Sequence, residues 1–115
     1  MGISDTLDVE LDDLQLQVGM WARRNFGDNK GLEHIAPLLG MMEELGELTH
    51  EVLKSHQGIR ETNKSNEEDA VGDIMVYLLD FCSRRGLRTG HCLHVAWSEA
   101  SQRDWTRFPK NGRTE

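Results

Sequence analysis

Apolar residues recur at three- and four-residue steps near the start of the chain: Leu7, Leu11, Leu14, Val18 and Trp21. That period collects them on one side of an α-helix, with Ser4 or Asp5 as cap and an end expected near Asn25, just before Gly27. A second stripe, Leu38, Met41, Leu45, Leu48 and Val52, follows Pro37, whose fixed φ suits a first helical turn, and runs until Gly58 offers a stop. Ser65 with Glu68 reads as a capping box opening a third helix, with Val71, Ile74, Leu78, Phe81 and Cys82 inward and Gly86 closing it. A fourth helix is expected from about His91 to Trp105. The segments between, 26–35, 57–65 and 86–90, are polar and contain glycine, and no strand-like alternation appears. The pattern therefore predicts an all-α chain, one four-helix, bundle-like domain over residues 1–115 with a loose tail after about residue 108, and neither repeats nor low-complexity tracts.

Composition agrees with a folded unit. At 115 residues there is room for one domain, and 37% hydrophobic residues is an ordinary globular value. The longest apolar run, Ile74 to Leu79, is far short of the roughly 20 residues that span a bilayer, and the N-terminus lacks a basic-then-apolar leader, so the expected location is the cytoplasm. Cys82 and Cys92 are too few for a disulfide framework and read as reduced thiols. Met1-Gly2-Ile3-Ser4-Asp5-Thr6 fits an N-myristoylation pattern, but acidic residues follow and no polybasic signal supports an anchor, so a membrane partner is not expected.

Charge narrows the partners further. Thirteen basic against 20 acidic residues give a net charge of −7, which repels a polyphosphate backbone and argues against nucleic-acid binding. The distribution is uneven: residues 1–83 carry 6 basic and 17 acidic side chains, residues 84–115 carry 7 and 3. An acidic centre with a basic tail suits a metal–phosphate ligand.

At 100° per residue, Glu43, Glu44, Glu47 and Glu51 share one face of the second helix with His50, away from Leu45, Leu48, Met41 and Val52. Lys54 is the only basic residue in that helix able to serve one of them, Glu51. Two carboxylates about 6 Å apart at an effective dielectric near 20 repel by roughly 3 kcal/mol, so the face is either a solvated surface or a site for a cation. On the third helix Asp69, Asp73 and Asp80 form a matching stripe; if the two helices pack antiparallel, carboxylates from both can converge on a hard divalent cation such as Mg²⁺. Asp80 also reads as an exposed or hydrogen-bonded helix residue.

Other templates fit less well. No phosphate loop and no dinucleotide fingerprint is present, which excludes P-loop chemistry. Glu47-Leu48-Thr49-His50 matches the Glu-x-x-His element of di-iron bundles, but that site needs two copies and a second is lacking. His91, Cys92 and His94 lack a fourth zinc partner and read as helix-surface residues.

Glu43-Glu44-Leu45-Gly46-Glu47, followed some twenty residues later by Asp69-Ala70-Val71-Gly72-Asp73, resembles the MazG-like nucleoside triphosphate pyrophosphohydrolases, an all-α superfamily that includes the dimeric dUTPases. The family signature is Glu-Glu-x-x-Glu on one helix and Glu-x-x-Asp on the next. The first half is complete; in the second, Ala70 stands where an acid is expected and Asp69, one step earlier, is the substitute. The likeness extends to Trp21–Phe26, Leu53-Lys54, Gln57–Arg60, and Trp97 through Arg103–Trp105 to Pro109–Gly112.

The resemblance implies hydrolysis of a nucleoside triphosphate between its α and β phosphates, giving the monophosphate and pyrophosphate. It implies Mg²⁺, with Mn²⁺ able to substitute, held by Glu43, Glu44, Glu47, Asp73 and Asp69, and Glu43 or Glu47 as proton acceptor for the attacking water. Lys54, Arg103 and Lys110 are candidate triphosphate clamps, and Trp21, Phe26 and Trp97 candidate base-stacking residues, each with an alternative as ordinary surface or core. It further implies a homodimer or homotetramer. The competing expectation from the residues is a non-catalytic helical binding or assembly module whose acidic face meets a basic partner.

Overall fold

The computed structural model describes residues 5–28 and 33–114. Four α-helices make up the architecture, α1 (Asp5–Phe26), α2 (Ile35–His56), α3 (Lys64–Arg85) and α4 (Thr89–Ala100), with no strand among the described residues. Ser4, and the first four residues of the Met1–Thr6 myristoylation pattern, lie outside them.

The helix ends follow local chemistry. Arg23 and Arg24 sit in the last turn of α1, where cations meet the negative end of the helix dipole. Gly86 closes α3 in the left-handed region at φ 67°, its N–H bonded to the Ser83 carbonyl and that of Leu87 to Cys82. The start of α3 differs from the expected capping box. Asn63 is the cap, its side-chain oxygen accepting the Asn66 N–H at 3.2 Å, and Ser65 lies inside the helix. The last helix is shorter than its apolar pattern suggests, ending at Ala100; a series of turns follows, in which Asp104 accepts from the Thr106 hydroxyl and the Arg107 N–H while Gly112 bonds Phe108 and Asp104.

Packing is antiparallel at each step. Glu51 pairs with Asn66, and Gly40 lies under the Tyr77 ring, so α2 and α3 form a hairpin. Gly19 and Arg23 of α1 meet Ser83 near the end of α3, where the Arg23 guanidinium donates to the Ser83 hydroxyl at 3.0 Å and to its carbonyl at 3.2 Å. The first half of α1 instead carries α4: Asp8 backs onto Gly90, Asp12 takes Arg88 at 2.8 Å, and Gln15 bonds the Leu87 carbonyl and the Thr89 N–H. α1 thus bridges two pairings made at different ends of itself.

Such a layout leaves little interior. Among the described residues the buried apolar side chains are Ala22, Ala70, Leu79 and Cys82. The stripe expected to point inward from α2 does not: Leu38, Leu45 and Val52 are exposed, Met41 and Leu48 half-buried. The physical reason is which face meets α3. Pro37, Gly40, Glu44, Leu48 and Glu51 line that contact, centred about a third of a turn round the helix from Leu38 and Leu45, with Leu48 at its near edge. No helix among the described residues is long and apolar enough to cross a membrane.

Candidate functional site

The α2–α3 hairpin brings acidic residues of both helices to one cleft of about 310 Å³, lined by Glu44, Glu47, Leu48, Glu51, Asn66, Asp69, Ala70 and Asp73. The antiparallel register sets Glu44 near Asp73, Glu47 near Ala70 and Glu51 near Asn66. No basic residue lines the cleft. Partial withdrawal from water, then the charges of Glu47, Asp73 and Glu43, hold the Glu44 carboxyl above its ordinary value. Glu51 accepts from the Asn66 amide through one oxygen at 3.3 Å; its other oxygen is buried without a hydrogen-bond partner.

A shared cleft is not a coordination sphere. Among the described residues no group of three or more His, Cys, Asp or Glu side chains is arranged to hold a metal ion. Glu44, Glu47 and Glu51 are strung over two helical turns, about 10 Å of rise, whereas Mg²⁺ needs its oxygens at about 2.1 Å from one point. Ala70, where the signature calls for an acid, is buried and supplies no oxygen, and Glu43 lies outside the cleft. The expected Mg²⁺ or Mn²⁺ centre built on Glu43, Glu44, Glu47, Asp73 and Asp69 is therefore corrected, and with it the metal-dependent hydrolysis of a nucleoside triphosphate and the roles of Glu43 and Glu47 as its base.

The other sequence candidates are dispersed. Lys54 donates to Gln57 at 3.4 Å rather than serving Glu51. Arg103 lies 6.0 Å over the Trp105 ring; neither it nor exposed Lys110 lines the cleft. Trp97 is exposed on α4. His94 stands 3.6 Å from Asp8 against α1, and Cys92 is exposed.

Trp21 and Phe26 meet edge to face with centroids 5.5 Å apart, at the mouth of a second cavity of about 460 Å³. Pro37, Val76 and Tyr77 supply its other apolar walls, and Glu33, Asp80 and Arg84 its polar floor. Asp73 lines both spaces. Asp80 does not line the acidic cleft: it is buried rather than exposed and is the hydrogen-bonded helix residue of the alternative reading, accepting from the Arg84 Nε at 2.8 Å. Arg84, also buried, reaches the Gly27 carbonyl at 3.2 Å and Glu33 at 3.4 Å. The i,i+4 spacing of Asp80 and Arg84 was the sequence signal for this pair. Glu51 and Asn66 join the cleft through the hairpin register, which spacing along one helix does not reveal.

Comparison with known proteins adds no family. No family model, no curated protein and no solved structure matches the chain.

Proposed function

We propose that the chain is a MazG-like helical scaffold serving as a non-catalytic binding and assembly module, whose acidic α2–α3 cleft takes a basic segment of a partner protein. The observation that carries this reading is the five-carboxylate cleft, Glu44, Glu47, Glu51, Asp69 and Asp73, with no cation in its lining. Mutual repulsion at Glu44 is relieved when Lys or Arg side chains enter, so the folded site gains more from a basic guest than separate surface acids would. Charged ammonium and guanidinium groups suit carboxylates spread along a groove, since each cation pairs locally and no single coordination point is needed. The adjoining cavity beside Trp21, Phe26 and Tyr77 has room for one apolar side chain of the same segment. A cytoplasmic setting accords with the free thiols at Cys82 and Cys92.

The test is titration with a Lys/Arg-rich peptide carrying one Phe or Leu, followed by calorimetry or fluorescence anisotropy. Binding should weaken steeply between low and high salt, and Glu47→Gln with Asp73→Asn should reduce it while leaving the helical circular dichroism intact. Salt-insensitive binding, binding unaffected by that double substitution, or pyrophosphate release from a nucleoside triphosphate by the purified chain would each overturn the reading.

A further inference from the structure

We propose that the cavity between α1, α2 and α3 is a cage for a methylated ammonium group, and that a trimethylated lysine of the partner's basic segment is its occupant. The cage stands on the cavity alone; lysine as the source rests on the function proposed above. Three aromatic rings line the space, Trp21 and Phe26 from the end of α1 and Tyr77 from α3. Trp21 and Phe26 stand at 83° with centroids 5.5 Å apart, so they form a corner rather than a pair of parallel plates. A flat ring stacks between parallel faces, whereas a round group seats in a corner and touches both walls. The volume of about 460 Å³ falls within the range of pockets that enclose small ligands.

Charge says which round group. The lining holds three carboxylates, Glu33, Asp73 and Asp80, and one cation, Arg84. That guanidinium is buried and already committed, to Asp80 at 2.8 Å and to Glu33 at 3.4 Å. Asp73 has no ion pair among the described residues. An anion is therefore repelled, and a neutral apolar group leaves Asp73 unmatched. A bare ammonium brings three N–H donors and a tight hydration shell, which aromatic walls do not replace. Methylation removes the donors and wraps the charge in apolar surface, and the ring faces attract such a cation through their quadrupoles. Aromatic walls with a carboxylate beside them meet both demands, burial of the methyl groups and balance of the charge. Asp73 lines the acidic cleft as well, so a segment lying there has the cavity within reach of a lysine stem.

Three Lys/Arg-rich peptides test it by calorimetry with the full chain, alike except at one position: lysine, trimethyllysine, or the neutral tert-butyl isostere of trimethyllysine. The trimethyllysine peptide should bind on the order of tenfold tighter than either of the others. Trp21→Leu with Phe26→Leu keeps apolar bulk at two exposed positions and should abolish that preference while the helical circular dichroism is retained. Tetramethylammonium chloride alone, followed through the indole N–H resonances of the three tryptophans, should shift Trp21 and leave Trp97 and Trp105 in place. The peptide comparison and the tetramethylammonium titration use the unaltered chain and do not depend on how the variant folds. An isostere that binds as tightly as the cation, a preference that survives in the folded double variant, or a Trp21 signal unmoved by tetramethylammonium would overturn the cage. If the lysine peptide binds with salt sensitivity and trimethylation adds nothing, the cage falls and the acidic cleft keeps its basic guest. If tetramethylammonium shifts Trp21 while no peptide binds, the cage stands and the basic partner falls.

Discussion

At the scale of the residue, two charged groups behave differently from what their neighbours in sequence suggest. Arg84 is withdrawn from water and has Asp80, Glu33 and the Gly27 carbonyl as partners, so it ties the loop after α1 and the start of α2 to the end of α3. Replacing it with Ala leaves Asp80 as a buried carboxylate without its cation, and chemical denaturation should show a loss of about 3–5 kcal/mol. Arg84→Lys keeps the charge but not the fan of donors, and should fall between. Glu44 has the opposite character. The folded chain binds its proton more tightly than the unfolded chain does, so its contribution to stability is greatest below the ordinary value of 4.5 and falls as pH rises through the higher folded value. Glu44→Gln should raise the thermal midpoint at neutral pH, and the gap to wild type should close as pH falls below 4.5; a constant gap across that range would remove repulsion as its cause. That Glu44 and Glu47 share a face was legible from their spacing. The i,i+4 spacing of Asp80 and Arg84 marks their pairing too, but not its burial or its links to Glu33 and the Gly27 carbonyl, which come from other parts of the chain.

At the scale of the element, helix count and most boundaries were legible, since glycines, Pro37 and the apolar period all act locally. The start of α3 shows where such reading stops. Ser65-x-x-Glu68 satisfies the capping pattern, yet Asn63 makes the bond, because an Asn two residues earlier offers the same acceptor to Asn66. Asn63→Ala should therefore lower stability by about 1 kcal/mol, while Ser65→Ala, followed by the same thermal melts, should cost little. Pairing of α2 with α3 depends on Gly40, where an added Cβ would stand 2.5 Å from the Tyr77 ring. Gly40→Ala forces the ring or the helix aside; overpacking of this kind costs about 1–3 kcal/mol, against the small gain that alanine brings to a helix elsewhere. The same glycine explains why most of the apolar stripe of α2 does not face α3. A helix packs on the face that allows closest approach, and here that face is Gly40, Pro37, Leu48 and carboxylates, which leaves Leu38 and Leu45 exposed.

At the scale of the whole molecule, a single copy lacks the interior its length should provide. Its radius of gyration is 17.5 Å, where about 13 Å is expected for 115 residues. The extents of 49 × 42 × 26 Å describe a plate rather than a sphere. In a plate this thin much of the apolar surface of α2 and α3 stays open, Leu38, Leu45, Val71 and Met75 among it. Pairing through that surface would make stability a function of concentration. If folding and pairing are one event, mass action favours the paired state as protein is added, and the unfolding midpoint in heat or urea should rise steadily from about 1 to 100 μM. Each tenfold step corresponds to about 1.4 kcal/mol of dimer stability. A monomer that completes its own core would unfold at a midpoint independent of concentration, and that result would mean the exposed leucines and methionines of α2 and α3 do not contribute to holding the fold together.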